Sequence, residues 1–440
     1  MELTSTRDWW RPSAPAVTVQ TAVTTDDRDR IAFGALAAFT IILLVSPQAW
    51  FPAIKSFRIA LLAAGVAIAA HVGGRMFGVV PAMPLRREMV VALALISWAA
   101  LTVPLSIWPG GSWEQLTDHL IKAVIFFWLI GTLITTLPRL RVYAWILSLC
   151  SVPLALTAIN NYLSGVVVTH ADSAVQRIAG YMGGSGLAAN PNDLALMLNL
   201  LMPFTGALLV TAGSVPARIG LGLGLLLSVV AVIATFSRAG FITLALIGAL
   251  ALLAMLRRGA VAMALAVVLL AAVALAAMPA KYYERLSTIT NIEADPTGSA
   301  QGRWEDWILS VEYIGKHPMT GAGLGQDLLA LNAERGHETW RSVHNAFLQI
   351  AVDLGFPGLL LLLLLLFMSL GNARRVRRRA ARIKGLGDLE TLAQAVSISL
   401  AAFVVAAFFH PIAYQFYFFC LAGLAVALVN VERAHAPVAP

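Results

Sequence analysis

Residues 341–358 read "RSVHNAFLQIAVDLGFPG" and run straight into eight leucines at 359–366. The second half of this stretch is an apolar helix of the kind a bilayer accommodates. The first half sets an arginine, a histidine and an asparagine at the mouth of that helix, where polar groups are costly and usually functional. The rest of the chain repeats the apolar half many times. Of its 440 residues 59% are hydrophobic and 12% charged, and its mean hydropathy is +0.79, which excludes a soluble globule. Apolar segments recur at 31–47, 52–71, 89–108, 119–137, 142–163, 193–211, 219–236, 239–256, 259–278, 343–370, 391–409 and 411–430. Each is long enough to cross about 30 Å of hydrocarbon. Lipid permits only helices or closed barrels, and no alternating ten-residue strands are present. The chain therefore reads as an all-α polytopic membrane protein with about twelve transmembrane helices.

The net charge of +8 would suit nucleic acid if it were clustered on a polar domain. Instead it follows topology. With the N-terminus in the cytoplasm, twenty of the thirty-one Lys and Arg fall on the inner side, including the run "RRVRRRAARIK" at 374–384, as the positive-inside rule requires. Anionic membrane lipid is the partner of that run, and no nucleic-acid partner is expected. This orientation divides the chain into a cytoplasmic polar tail (1–30), nine spans (31–278), a large periplasmic loop (279–342), three further spans (343–430) and a short cytoplasmic tail (431–440). Both termini are then cytoplasmic. Cys150 and Cys420 lie inside apolar spans, so neither a disulfide nor a metal site is expected.

The large loop holds six Lys/Arg against nine Asp/Glu and the segment "GRWEDWILSVEYIGKH" at 302–317. Trp304, Trp307, Ile308, Val311 and Ile314 recur there at three-to-four spacing, which predicts an amphipathic helix lying on the membrane or capping the bundle. A second outer segment, 164–192, contains "RIAGYMGGSGLAANPND". It follows no strand and lacks Gly-Lys-Ser/Thr, so it is not a nucleotide P-loop.

Several outer-side cations stand at span ends. Arg238 sits in "TFSRAGF", a tight break between two apolar runs; Arg303 opens the amphipathic segment; Lys55 and Arg58 begin the second span; Arg177 lies in the glycine-rich loop; Arg341 precedes the tenth span. Together they suit an outward-facing anion site, because the guanidinium fork matches phosphate oxygens. His344, three residues after Arg341 and on the same side of a first helical turn, can exchange a proton near neutral pH. Asp353 lies too far along the helix to partner it. Pro357 cannot donate to the Asp353 carbonyl, so a kink is expected there and a structural role for Asp353.

The ordered set "NPND" (190–193), "TFSRAG", "GRWEDW", "HPMTGAGLGQ" and "HNAFLQIAVDLGFPG" resembles the O-antigen ligase family of bacterial inner-membrane glycosyltransferases, which shares its domain with O-antigen polymerases and some protein O-oligosaccharyltransferases. The motifs span roughly 177–358; the N-terminal third matches in hydropathy alone. The resemblance implies transfer of a glycan from undecaprenyl diphosphate, on the periplasmic leaflet, to a sugar of the lipid A core, without metal, nucleotide or other cofactor. It assigns Arg238 and Arg303 to the diphosphate and makes His344 the essential histidine. Arg177, Arg341, Lys55 and Arg58 become second-rank substrate contacts, and Asn345 orients its neighbour or caps the turn. A polymerase is the main alternative within the family, and a lipid-linked glycan transporter the alternative outside it.

Overall fold

The computed structural model of the chain describes residues 29–78, 85–168, 177–178, 180–181, 188, 190–261, 264–265, 267–269, 272, 299–336 and 340–435. The helices are α1 (Arg30–Val45), α2 (Ile59–Met76), α3 (Arg87–Thr102), α4 (Pro109–Leu133, with a π-helical stretch at Leu116–Leu120), α5 (Leu137–Leu163), α6 (Pro191–Thr211), α7 (Val215–Ala234) and α8 (Arg238–Arg257). They continue with α9 (Ser299–Lys316), α10 (Asp327–Glu334), α11 (Ala346–Ala380), α12 (Gly387–Ala407) and α13 (Phe416–Ala434). Ten of these, α2 to α8 and α11 to α13, are long and apolar enough to cross a membrane; α1 is a shorter apolar helix, and the span expected at 259–278 lies largely outside the described residues. The only described strands are a two-residue antiparallel pair, Val167–Val168 with Arg177–Ile178.

Short polar residues divide the apolar runs into helices. Thr136, Asn190, Ser214, Ser237 and Asn345 each accept a backbone N–H at the start of α5, α6, α7, α8 and α11, which satisfies donors that a helix leaves open. The expected second span begins late, at Ile59, because Pro52–Phe57 forms a 3-10 turn and Arg58 takes a left-handed conformation with φ 46°. Lys55 and Arg58 therefore precede the second spanning helix instead of beginning it.

Ion pairs bring the start of α5, the ends of α8, α11 and α13 and the start of α12 to one end of the bundle, where basic residues gather. At the basic end Arg141 pairs with Asp388, and Arg258 meets Glu390 at 2.7 Å. The basic run does not stop the helix: α11 continues through it to Ala380. The core forms around α13 and α6, whose sides are covered by α4, α5, α7, α11 and α12, with Phe127, Tyr143, Phe204, Phe403, Phe418 and Phe419 fully buried.

The kink expected in α11 is a full break. Gly355 has φ 66° and ψ −170°, a conformation closed to residues with a side chain. A Cβ there would also strike the backbone of Met319. The break frees carbonyls, and neighbours take them: Ala322 N donates to Val352 O and Gly323 N to Asp353 O, both at 2.8 Å, and Trp98 Nε1 donates to Leu354 O at 2.9 Å. Phe356 N donates to Pro318 O at 2.8 Å. The segment "HPMTGAGLGQ" (317–326) is thus stitched into the broken helix, which gives these backbone groups partners.

Candidate functional site

The break fixes the loop that carries the histidine. Asp353, fully buried, receives the Tyr414 hydroxyl at 2.8 Å on Oδ2, and its carbonyl accepts Gly323 N just ahead of α10. Asp353 therefore ties α11 to the start of α10 and to the α12–α13 connection, the structural role expected of it. Asp327 in turn accepts Val343 N at 3.1 Å and the Gln349 side chain, while Gln349 Oε1 accepts Ala413 N at 3.2 Å. Val343, held in this way, is the residue before His344.

His344 lies just ahead of α11 rather than on its first turn. The helix starts at Ala346, with Asn345 as its cap: Asn345 Oδ1 accepts Phe347 N at 2.9 Å and Leu348 N at 3.2 Å. Arg341 and His344 therefore come together in an extended segment, not by helical spacing, and Asn345 serves the turn that orients His344.

The half-buried His344 ring has its Nδ1 2.9 Å from the Ser342 carbonyl oxygen. A carbonyl only accepts, so Nδ1 carries the hydrogen in the neutral ring and Nε2 is left with its lone pair. The ring is kept neutral. Burial first, and then the positive charge of Arg303, lower its pKa to about 4; the bond to Ser342 opposes this, and His410 and Arg341 add to the lowering. Arg303, Arg341 and His410 are thus all within electrostatic reach of one imidazole.

Arg341 owes its place to α9. Asp306, 2% exposed, takes Arg335 at 2.6 Å and Arg341 at 3.3 Å, and Glu305 stands 3.6 Å from Arg341. Burial raises the Asp306 pKa against the opposing pull of Arg335 and Arg341. The Arg341 guanidinium lies directly against Gly302, where a Cβ would collide with it. Among the described residues, Arg341 Nε is buried and meets no acceptor.

The amphipathic reading of α9 is half right. Its bundle-facing side is Gly302, Asp306, Ser310, Tyr313 and Ile314, while Trp304, Ile308 and Val311 are exposed. On that inward side the buried Asp306 collects two arginines. Ile314 and Tyr313 then join Leu331, Val343 and Val352 in a small apolar cluster that fastens α9 and α10 to α11.

Arg238 is the first residue of α8, at the same end of the bundle, and is partly buried. Phe236, with φ 53°, makes the turn ahead of it. Ser237 Oγ donates to Asn192 Oδ1 at 2.8 Å, which joins "TFSRAG" to "NPND". Arg58 is exposed and within electrostatic reach of Asp118 on α4. The side chains of Lys55 and Arg177 are outside the described residues; Arg177 is placed by its backbone pairing with Val168. Among the described residues, no group of three or more His, Cys, Asp or Glu is arranged to hold a metal ion.

His410, Asp306, Arg335 and Asp327 were not singled out in the sequence. His410 had a legible signal, a His-Pro break between two apolar runs. The two aspartates had none, because a carboxylate on a polar-looking helix reads as solvent-facing.

Residues 223–363 match the family model described as O-antigen ligase. This segment runs from α7 to the leucine run of α11 and contains Arg238, Arg303, Arg341, His344 and Asn345; Lys55, Arg58 and Arg177 lie outside it. The match covers 141 of the 440 residues, and over that segment the chain is similar to that family. No curated protein matches the chain.

Proposed function

We propose that the chain is an O-antigen ligase, which transfers polysaccharide from undecaprenyl diphosphate to a lipid A core sugar at the periplasmic face of the bacterial inner membrane. The observation that carries this is the His344 ring: a neutral imidazole whose Nε2 lone pair is free to accept, beside Arg303 and Arg341. The basic end of the bundle supports a cytoplasmic location for that end and, with it, a periplasmic site.

Nε2 of His344 takes the proton of the acceptor hydroxyl as its oxygen attacks the reducing-end sugar carbon. The bond from that carbon to the lipid diphosphate breaks, and the electron pair stays on a phosphate oxygen. Arg238 and Arg303 stabilise the charge that grows there, and Arg341, within electrostatic reach of His344, adds positive charge. Attack opposite the leaving group inverts the sugar carbon. The exposed Trp304, Ile308 and Val311 suit the headgroup layer, where the polyprenyl tail of the donor enters the bilayer.

The test is transfer by the purified protein from a polyprenyl-diphosphate glycan to lipid A core. Core-linked product supports a ligase. Longer lipid-linked glycan that forms without core makes the protein a polymerase, which shares the same donor chemistry.

A further inference from the structure

At the opposite end of the bundle a cavity of about 690 Å³ opens between α3, α11 and α13. Its charged lining is Arg86, Arg87, Arg375 and Arg433 against a single carboxylate, Glu88. That carboxylate is already engaged, since Asn372 Nδ2 donates to Glu88 Oε1 at 2.6 Å. Asn372 Oδ1 in turn accepts Arg375 Nη2 at 2.9 Å. The network holds Arg375 on the rim and leaves four guanidinium groups facing one carboxylate.

Arg86 shows what this costs. It hydrogen-bonds Asn430 through Nη2, while its Nε is buried and meets no acceptor among the described residues. Burial lowers its pKa first, and the like charges of Arg433 and then Arg375 add to the effect, with Glu88 opposing. Arg86 also occupies the cap position of α3, where it offers no side-chain acceptor to the first-turn N–H groups. Like charges held together around a cavity raise the free energy of the protein unless an anion joins them.

We propose that this cavity is a binding site for a phosphate-bearing anion, separate from the glycosyl-transfer site and at the other end of the bundle. Planar guanidinium forks fit phosphate oxygens bidentately. The cavity lies where the spans meet the basic surface, so an anionic phospholipid headgroup and a free inorganic phosphate or diphosphate share the chemistry it selects.

The experiment compares the full-length wild type with Arg375→Gln/Arg433→Gln, both exposed residues whose loss leaves the Glu88–Asn372 bond in place. The control is Arg378→Gln/Arg382→Gln, which removes two exposed charges outside the cavity. Native mass spectrometry from nanodiscs of mixed phosphatidylglycerol and phosphatidylcholine counts retained lipid, and thermal unfolding in neutral detergent is followed with added pyrophosphate. Retention of one phosphatidylglycerol, weakened roughly tenfold or more in the cavity variant and unchanged in the control, identifies a headgroup site. Saturable stabilisation by pyrophosphate with the same variant pattern, without retained lipid, identifies a free-anion site. Equal weakening in both variants, or no saturable binding of either probe to the wild type, overturns the proposal.

Discussion

His344 is useful because of what surrounds it. A histidine at a helix mouth is legible in sequence, but its protonation state is not, since that depends on Arg303 arriving from α9 and on the Ser342 carbonyl fixing the tautomer. His344→Ala should reduce transfer by on the order of 10²–10⁴-fold, with donor binding retained, as read by single-turnover kinetics. The pH dependence follows from the same contacts. With its pKa lowered to about 4 in the free protein, the ring is neutral throughout the neutral range. The kcat/KM profile, which reports the free enzyme, should lack an acid limb from this ring between about pH 6 and 8. A bound diphosphate favours the imidazolium and raises that pKa, so the acid limb of kcat should lie at higher pH. Coincident limbs in kcat and kcat/KM would contradict this coupling. Asp306 carries a prediction about stability. Asp306→Asn leaves Arg335 and Arg341 without their shared carboxylate and should cost about 3–5 kcal/mol, measured by thermal unfolding in detergent.

The helix that bears the site was legible in outline and not in detail. Pro357 announced a distortion in α11, but the break falls two residues earlier, at Gly355, because that is where the backbone can turn to a positive φ and let 317–326 approach. Gly355→Ala should therefore destabilise the protein by about 1–3 kcal/mol from backbone strain alone, with more from the clash at Met319, and proteolysis should then cut within 317–326. The start of α11 was placed at 343 by its apolar run; the true start, Ala346, is set by the Asn345 side chain. Asn345→Ala should cost about 1 kcal/mol of capping energy, whereas Asn345→Asp keeps an N-cap acceptor and most of the stability. The inward face of α9 was not legible, because periodicity counts apolar residues, whereas Asp306 is buried where it meets two guanidinium partners.

For the molecule as a whole, an all-helical membrane bundle was plain from runs of apolar residues, since a bilayer tests each span nearly independently. The pairing of the helices was not legible. Nothing local says that α13 and α6 fill the centre or that α8 lies beside α12. For the same reason Arg303 and His344 could be nominated separately but not assembled. Charge asymmetry predicts that a cysteine introduced at exposed Gly315 on α9 reacts with a membrane-impermeant thiol reagent in intact cells, whereas one at exposed Ala381 after α11 reacts only after lysis.

The central claim is that His344 and its arginines transfer glycan from a lipid diphosphate. It is tested most directly by supplying purified wild type, His344→Ala and Arg238→Ala with a polyprenyl-diphosphate glycan and lipid A core. Core-linked product from the wild type is predicted, with losses on the order of 10²-fold or more in both variants while their thermal unfolding is unchanged. Undiminished transfer by folded His344→Ala and Arg238→Ala would contradict the account.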